Sequence, residues 1–241
     1  MSFITVLGGK SSKKRSENDK RRKSGKPRFD VERIVKATMV VMMLNFQIAL
    51  ECAYLGLVVT FVVRQLSWTK TMSMFIVSVL AVAVLVAMGC AAVLSKWLPS
   101  KVIVITDIIV TFVASVVLSI FVMYHEAVIW VCSIVITMAC ATSSPAILAW
   151  AAQEIPPSTK VSAAYISSFA TNLFLGATVF AFFFHKYGPM WFCYLTVIYS
   201  FILILLFTSS ICIFQYLNNR RSNNQPPGES EAVDLKATEE L

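Results

Sequence analysis

The sequence predicts an all-α membrane protein of six transmembrane helices. Three observations lead there: only 14% of the 241 residues are charged, 57% are hydrophobic, and the charges cluster between long apolar runs. A soluble domain normally carries about 25% charged residues, so the balance suits a polytopic membrane protein. The net charge of +8 lies mostly before the first apolar run. It therefore describes a tail, and nucleic acid is not an expected partner.

Each element follows from its flanking charges. Residues 1–36 form a basic tail containing KKRSENDKRRKSGKPR, too polar to bury a core and expected to be disordered. Positive charge beside a span is retained on the cytoplasmic side, and it attracts anionic lipids. The six spans are expected at about 37–63, 71–95, 102–124, 127–153, 161–184 and 189–217. Each is long enough for a hydrocarbon core of about 30 Å. Residues 218–241, with Pro226, Pro227 and several acids, read as a second disordered tail.

Alternate segments divide the basic residues unequally: the two tails and the loops after spans 2 and 4 hold 18 of the 21 Lys and Arg. Both termini are therefore expected in the cytoplasm. Charge does not distinguish plasma from internal membranes. Trp68, Trp97, Trp191 and Tyr194 fall near span ends, where amphipathic rings anchor at the interface.

The first span is uncharged except at Glu51, close to its centre. An ionisable group at that depth is a functional-site candidate, because burying its charge alone is costly. Gln47 and Tyr54 project from the same side by helical spacing, giving a polar stripe Gln47, Glu51, Tyr54. No Lys or Arg lies inside any span. A proton, a metal ion, a polar side chain or another polypeptide must therefore accompany the carboxyl group, and the neutral form is the default. The alternative is interhelical glue, with a protonated Glu51 bonded to a neighbouring Ser or Thr.

Further polar seams are predicted. Asp107, Thr111 and Ser115 share a face of the third span, with Asp107 about 9 Å inside Lys101 and near enough to the surface to be a hydrated gate residue. Ser133, Thr137 and Ser144 line the fourth span before Pro145, which would bend or loosen it. Ser168, Asn172 and Gly176 line the fifth. Helix contact is the favoured reading of these seams. All six cysteines fall within spans and read as small buried apolar residues.

Several chemistries are excluded. No span carries regularly spaced Arg, as a voltage sensor needs, and no paired Asn-Pro-Ala half-helices occur. The Leu7–Ser12 stretch LGGKSS lacks the first glycine of a phosphate loop, Ile4 standing in its place. His125 and His185 sit in outer loops, away from any buried Ser. No catalytic constellation or cofactor motif emerges, so an enzyme is not expected. A bundle with a buried acid and short loops suits one half of a secondary transporter, folded as three plus three inverted units.

Four stretches carry a family resemblance: ECAYLGLVVTFVV from Glu51, LSKWLPSKVIVITD from Leu94, SSPAILAWAAQEI from Ser143 and YGPMWFCYLTVIYS from Tyr187. From about Phe46 to Phe207 the chain resembles the C-terminal six-helix half of the major facilitator superfamily, most specifically its sodium-dependent glucose transporter group. The resemblance implies transport of a sugar such as glucose by alternating access, as a uniporter or a sodium-coupled symporter. The family loop G-x-x-x-D-R-x-G-R-K is represented here only by Lys96 and, one place displaced, Lys101.

The candidate substrate or ion site is thus Glu51, Gln47, Tyr54 and Asn172, with Na⁺ or H⁺ as the possible coupling ion. Lys96, Lys101 and Asp107 are the candidate gating residues. The expected partners are the bilayer, a small polar solute, and a second six-helix half or a second copy. A truncated half that regulates or binds other membrane proteins without transporting is the alternative expectation.

Overall fold

The computed structural model describes residues 31–154 and 178–223. All regular structure among them is helical: α1 Val31–Gln65, α2 Lys70–Leu94, α3 Ser100–Phe121, α4 Glu126–Glu154, α5 over residues 178–187, and α6 Trp191–Asn223. Five of these, α1 to α4 and α6, are long and apolar enough to cross a membrane. The shortest, α3, has 22 residues and rises about 33 Å. The chain is therefore a multi-pass helical membrane protein. The two tails up to residue 30 and from residue 224 lie outside the described residues. So does the expected fifth span as far as residue 177, including Ser168, Asn172 and Gly176.

Helix α1 begins at Val31 rather than at Ala37, and α6 continues past Leu217 to Asn223. Helical backbone satisfies its own polar groups, so a helix runs on beyond the apolar stretch until a side chain or turn stops it. The turns here are short and have local causes. Thr69 caps α2 by accepting from the Met72 amide, and Pro99 starts α3 from an extended conformation without a side-chain cap. Gly188 has φ +106, a backbone conformation that favours glycine, in the turn between α5 and α6.

Contacts at the ends fix the antiparallel order. The Lys36 ammonium donates to Asn218 at 2.8 Å, and Lys101 pairs with Glu154 at 2.8 Å. These bring the starts of α1 and α3 together with the ends of α4 and α6. At the opposite end, Arg64 lies 3.5 Å from His185, and Gln65 donates to the Met123 sulfur at 3.2 Å.

Helix α4 is central and packs against both α2 and α3, while α3 also packs on α6. Half of the α4 span is buried against about a fifth of α2. The rest of α2 shows Met74, Phe75, Val82 and Leu85 outward, a surface that suits lipid. Helix α1 inserts aromatic rings beside α6: Phe61 stacks on Phe192 and Tyr54 tilts against it, while Phe46 meets Tyr199. Pro145 stands inside α4 and cannot donate to the preceding turn. Just before it, the Ser143 and Ser144 hydroxyls bond back to the Cys140 carbonyl of their own helix.

Candidate functional site

The stripe on α1 faces α4. Gln47 and Tyr54 are buried at 2% and 1% exposure, and Glu51 between them is half-buried. The Tyr54 hydroxyl and Ser133 Oγ lie 2.7 Å apart and share a hydrogen bond. Gln47, together with Thr111 of α3, interacts with the Cys140 thiol. These two α1 residues are seven apart, as are Ser133 and Cys140 on α4, which is the register of antiparallel helices in contact.

Glu51 and Thr137 occupy the interval. Thr137 follows Ser133 by four residues on the same side of α4, so it stands at the level of Glu51 along the seam. It is 2% exposed, and among the described residues its hydroxyl has no hydrogen-bond partner. A buried hydroxyl left unpaired costs about 1–3 kcal/mol, so its place here calls for a reason. No described side chain or backbone donor hydrogen-bonds to the Glu51 carboxyl group. A carboxyl and a hydroxyl thus stand at one level of the seam, each without a hydrogen bond among the described residues, between the levels of Gln47 and Tyr54. That arrangement can accept a proton or a monovalent cation, or hydrogen-bond a hydroxylated solute.

The remaining candidates divide. Asp107 accepts a 2.6 Å hydrogen bond from Thr142 and is partly buried, so its nearest contact is an interhelical bond. Thr111 turns to Cys140, and Ser115 bonds back to the Thr111 carbonyl and approaches Ser200 at 3.4 Å. The three residues predicted to share a face therefore serve α4 and α6 separately. Lys96 is exposed in the turn between α2 and α3. Lys101 pairs with Glu154 and lies 6.0 Å from the centre of the Trp150 ring. Asn172 lies outside the described residues.

Two features were not anticipated. Cys140, expected to be an inert apolar filler, sits where Gln47, Thr111, Glu51 and Asp107 all act on it. The second is a network at one end: Lys101 pairs with Glu154, Lys36 donates to Asn218, and Lys36 and Asn218 add to the interactions that favour the Glu154 carboxylate. Each of these residues was visible as a span boundary, but nothing in a linear chain pairs Lys36 with Asn218. Among the described residues, no group of three or more His, Cys, Asp or Glu is placed to hold a metal ion. No protein-family model matches the chain, and no curated protein matches it.

Proposed function

We propose that this chain moves a small polar solute, a sugar such as glucose, across a membrane by alternating access, with Glu51 as the seat of a coupled Na⁺ or H⁺. The observation that carries the reading is the α1–α4 seam. Inside a multi-pass helical bundle, Glu51 and the unpaired hydroxyl of Thr137 stand at one level, bracketed by the Tyr54–Ser133 and Gln47–Cys140 contacts. Ionisable groups at such depth mark ion or substrate paths more often than they mark packing. The resemblance of the four apolar stretches to the major facilitator superfamily supports the same reading. Alternating access requires two bundles rocking about the site, so a second copy or a separate six-helix half completes the transporter. On the charge distribution, both termini face the cytoplasm.

The test is solute uptake by cells making the functional assembly. Glu51→Gln removes the titratable group and keeps the shape. Uptake should fall at least tenfold, and its dependence on Na⁺ or pH should disappear. Unchanged uptake with unchanged ion dependence would remove Glu51 from the mechanism.

A second reading is favoured by the satisfied seams. Tyr54 and Asp107 direct their polar atoms at neighbouring helices, as interhelical glue does. In that reading the chain is a regulatory or interaction protein that does not transport. Cross-linking in native membranes separates the two: a homodimer or a partner half supports transport, and an unlinked monomer supports the second reading.

A further inference from the structure

Of all the Asp, Glu, Lys, Arg and His residues, only Glu51 and Asp107 fall inside the six expected spans, on α1 and α3. The fold brings both to one thiol. Buried Cys140 of α4 interacts with the side chains of Gln47 and Thr111 and feels the charges of Glu51 and Asp107. Gln47 lies one turn from Glu51, and Thr111 one turn from Asp107, so α1 and α3 each bring an acid and a neutral polar group to the same point of α4.

Hydrogen-bonding capacity is left over at this junction. Asp107 accepts from Thr142 at 2.6 Å through Oδ2, and its Oδ1 accepts nothing among the described residues. Thr137, one turn before Cys140 on the same side of α4, adds a buried hydroxyl with no partner among the described residues. Hydroxyl and thiol groups both donate and accept, so such a row can pass a proton between two acids.

No base lies at the depth of these acids. Otherwise the buried and half-buried titratable groups within the described spans are thiols and phenols: Cys52 and Tyr54 of α1, Cys132 and Cys140 of α4, and Cys193 and Tyr199 of α6. Two carboxylates in a medium of low dielectric, with no cation between them, repel, and keeping one proton relieves the pair.

We infer that Glu51 and Asp107 form a coupled pair holding a single proton at the junction of α1, α3 and α4, and that this proton is the ion coupled to the solute. The second clause rests on the transport reading, and the first does not. As the proton passes from Asp107 to Glu51, one carboxyl O–H bond breaks and the other forms. Each group between takes one proton and releases another, so no electrons are exchanged. Carboxyl chains of this kind are the proton relays of membrane transporters.

The experiment treats the full chain in neutral detergent with N,N′-dicyclohexylcarbodiimide, which adds to carboxyl groups in their protonated form. Peptide mass spectrometry reads labelling at Glu51 and Asp107 against pH. Asp107→Asn keeps an acceptor for Thr142 and removes the charge. At the pH where Glu51 of the parent is half-labelled, this variant should label it about fivefold less. Glu51→Gln should reduce labelling of Asp107 similarly, because coupling between two binding groups is reciprocal. Asp107→Glu should restore the parent profile, and Na⁺ at constant ionic strength should change neither residue. Unchanged labelling in both variants, each shown by circular dichroism to be folded, overturns the pair. Saturable protection by Na⁺ overturns the proton as the coupled ion. Glucose uptake is read separately in cells making the functional assembly. Uptake without pH dependence overturns the second clause and leaves transport standing, whereas reciprocal labelling with no uptake removes transport and leaves the proton pair.

Discussion

Thr137 gives the sharpest test at the scale of a single side chain. Its hydroxyl is buried without a partner among the described residues, so Thr137→Val keeps the shape and removes an unsatisfied group. Thermal unfolding in detergent should show unchanged or higher stability, by up to about 1–3 kcal/mol, while solute uptake falls. A marked loss of stability would show that the hydroxyl is structurally engaged. Tyr54 and Ser133 present the opposite case, because each satisfies the other at 2.7 Å. A double-mutant cycle of Tyr54→Phe and Ser133→Ala should give a coupling of about 0.6–1.7 kcal/mol, the range of interhelical bonds measured in membranes. Additive effects would mean that the bond contributes nothing. Of these residues, the Gln47, Glu51, Tyr54 stripe was legible from spacing alone, since a helix fixes which side chains share its face. That Cys140 belongs with them was not legible, because a thiol inside an apolar run has the same sequence signature whether it meets lipid or an amide.

Burial of the thiols distinguishes one helix from another. Cys132 and Cys140 on α4 and Cys193 on α6 are buried, whereas Cys90 on α2 and Cys212 on α6 are exposed. A small permeant maleimide applied to the folded protein in detergent should label Cys90 and Cys212 first, and reach Cys132, Cys140 and Cys193 only after unfolding. Peptide mapping by mass spectrometry reads the order, and early labelling of Cys140 would contradict the packing of α1 on α4. Hydropathy marks these runs as spans but ranks α2 above α4, although α4 is the more enclosed. Small and hydroxylated residues let α4 approach its neighbours closely, and the same residues lower its hydropathy.

For the molecule as a whole, the network at one end acts as a tie across α1, α3, α4 and α6. Lys36, Lys101, Glu154 and Asn218 meet there, with Trp150 packed beneath against Phe207 and Phe214. Glu154→Gln should lower stability by about 1 kcal/mol or less, because its partner Lys101 is half-exposed to solvent, with the deficit shrinking at high salt. A deficit that does not respond to salt would argue against an electrostatic tie. The same contacts place the start of α1 and the end of α6 at one end, so tags on the two termini should react from the same side of a sealed vesicle. The sequence by itself determined that the chain is helical and apolar enough to cross a membrane several times, because backbone polar groups in lipid leave few other structures open. It also determined which side of each helix is polar. Only the tertiary structure decided which polar side faces which: that Tyr54 takes Ser133, that Asp107 takes Thr142, and that Thr137 finds no partner among the described residues. Periodicity is a property of one helix, whereas pairing depends on the rotation and register of two, and no local interaction in the chain encodes those.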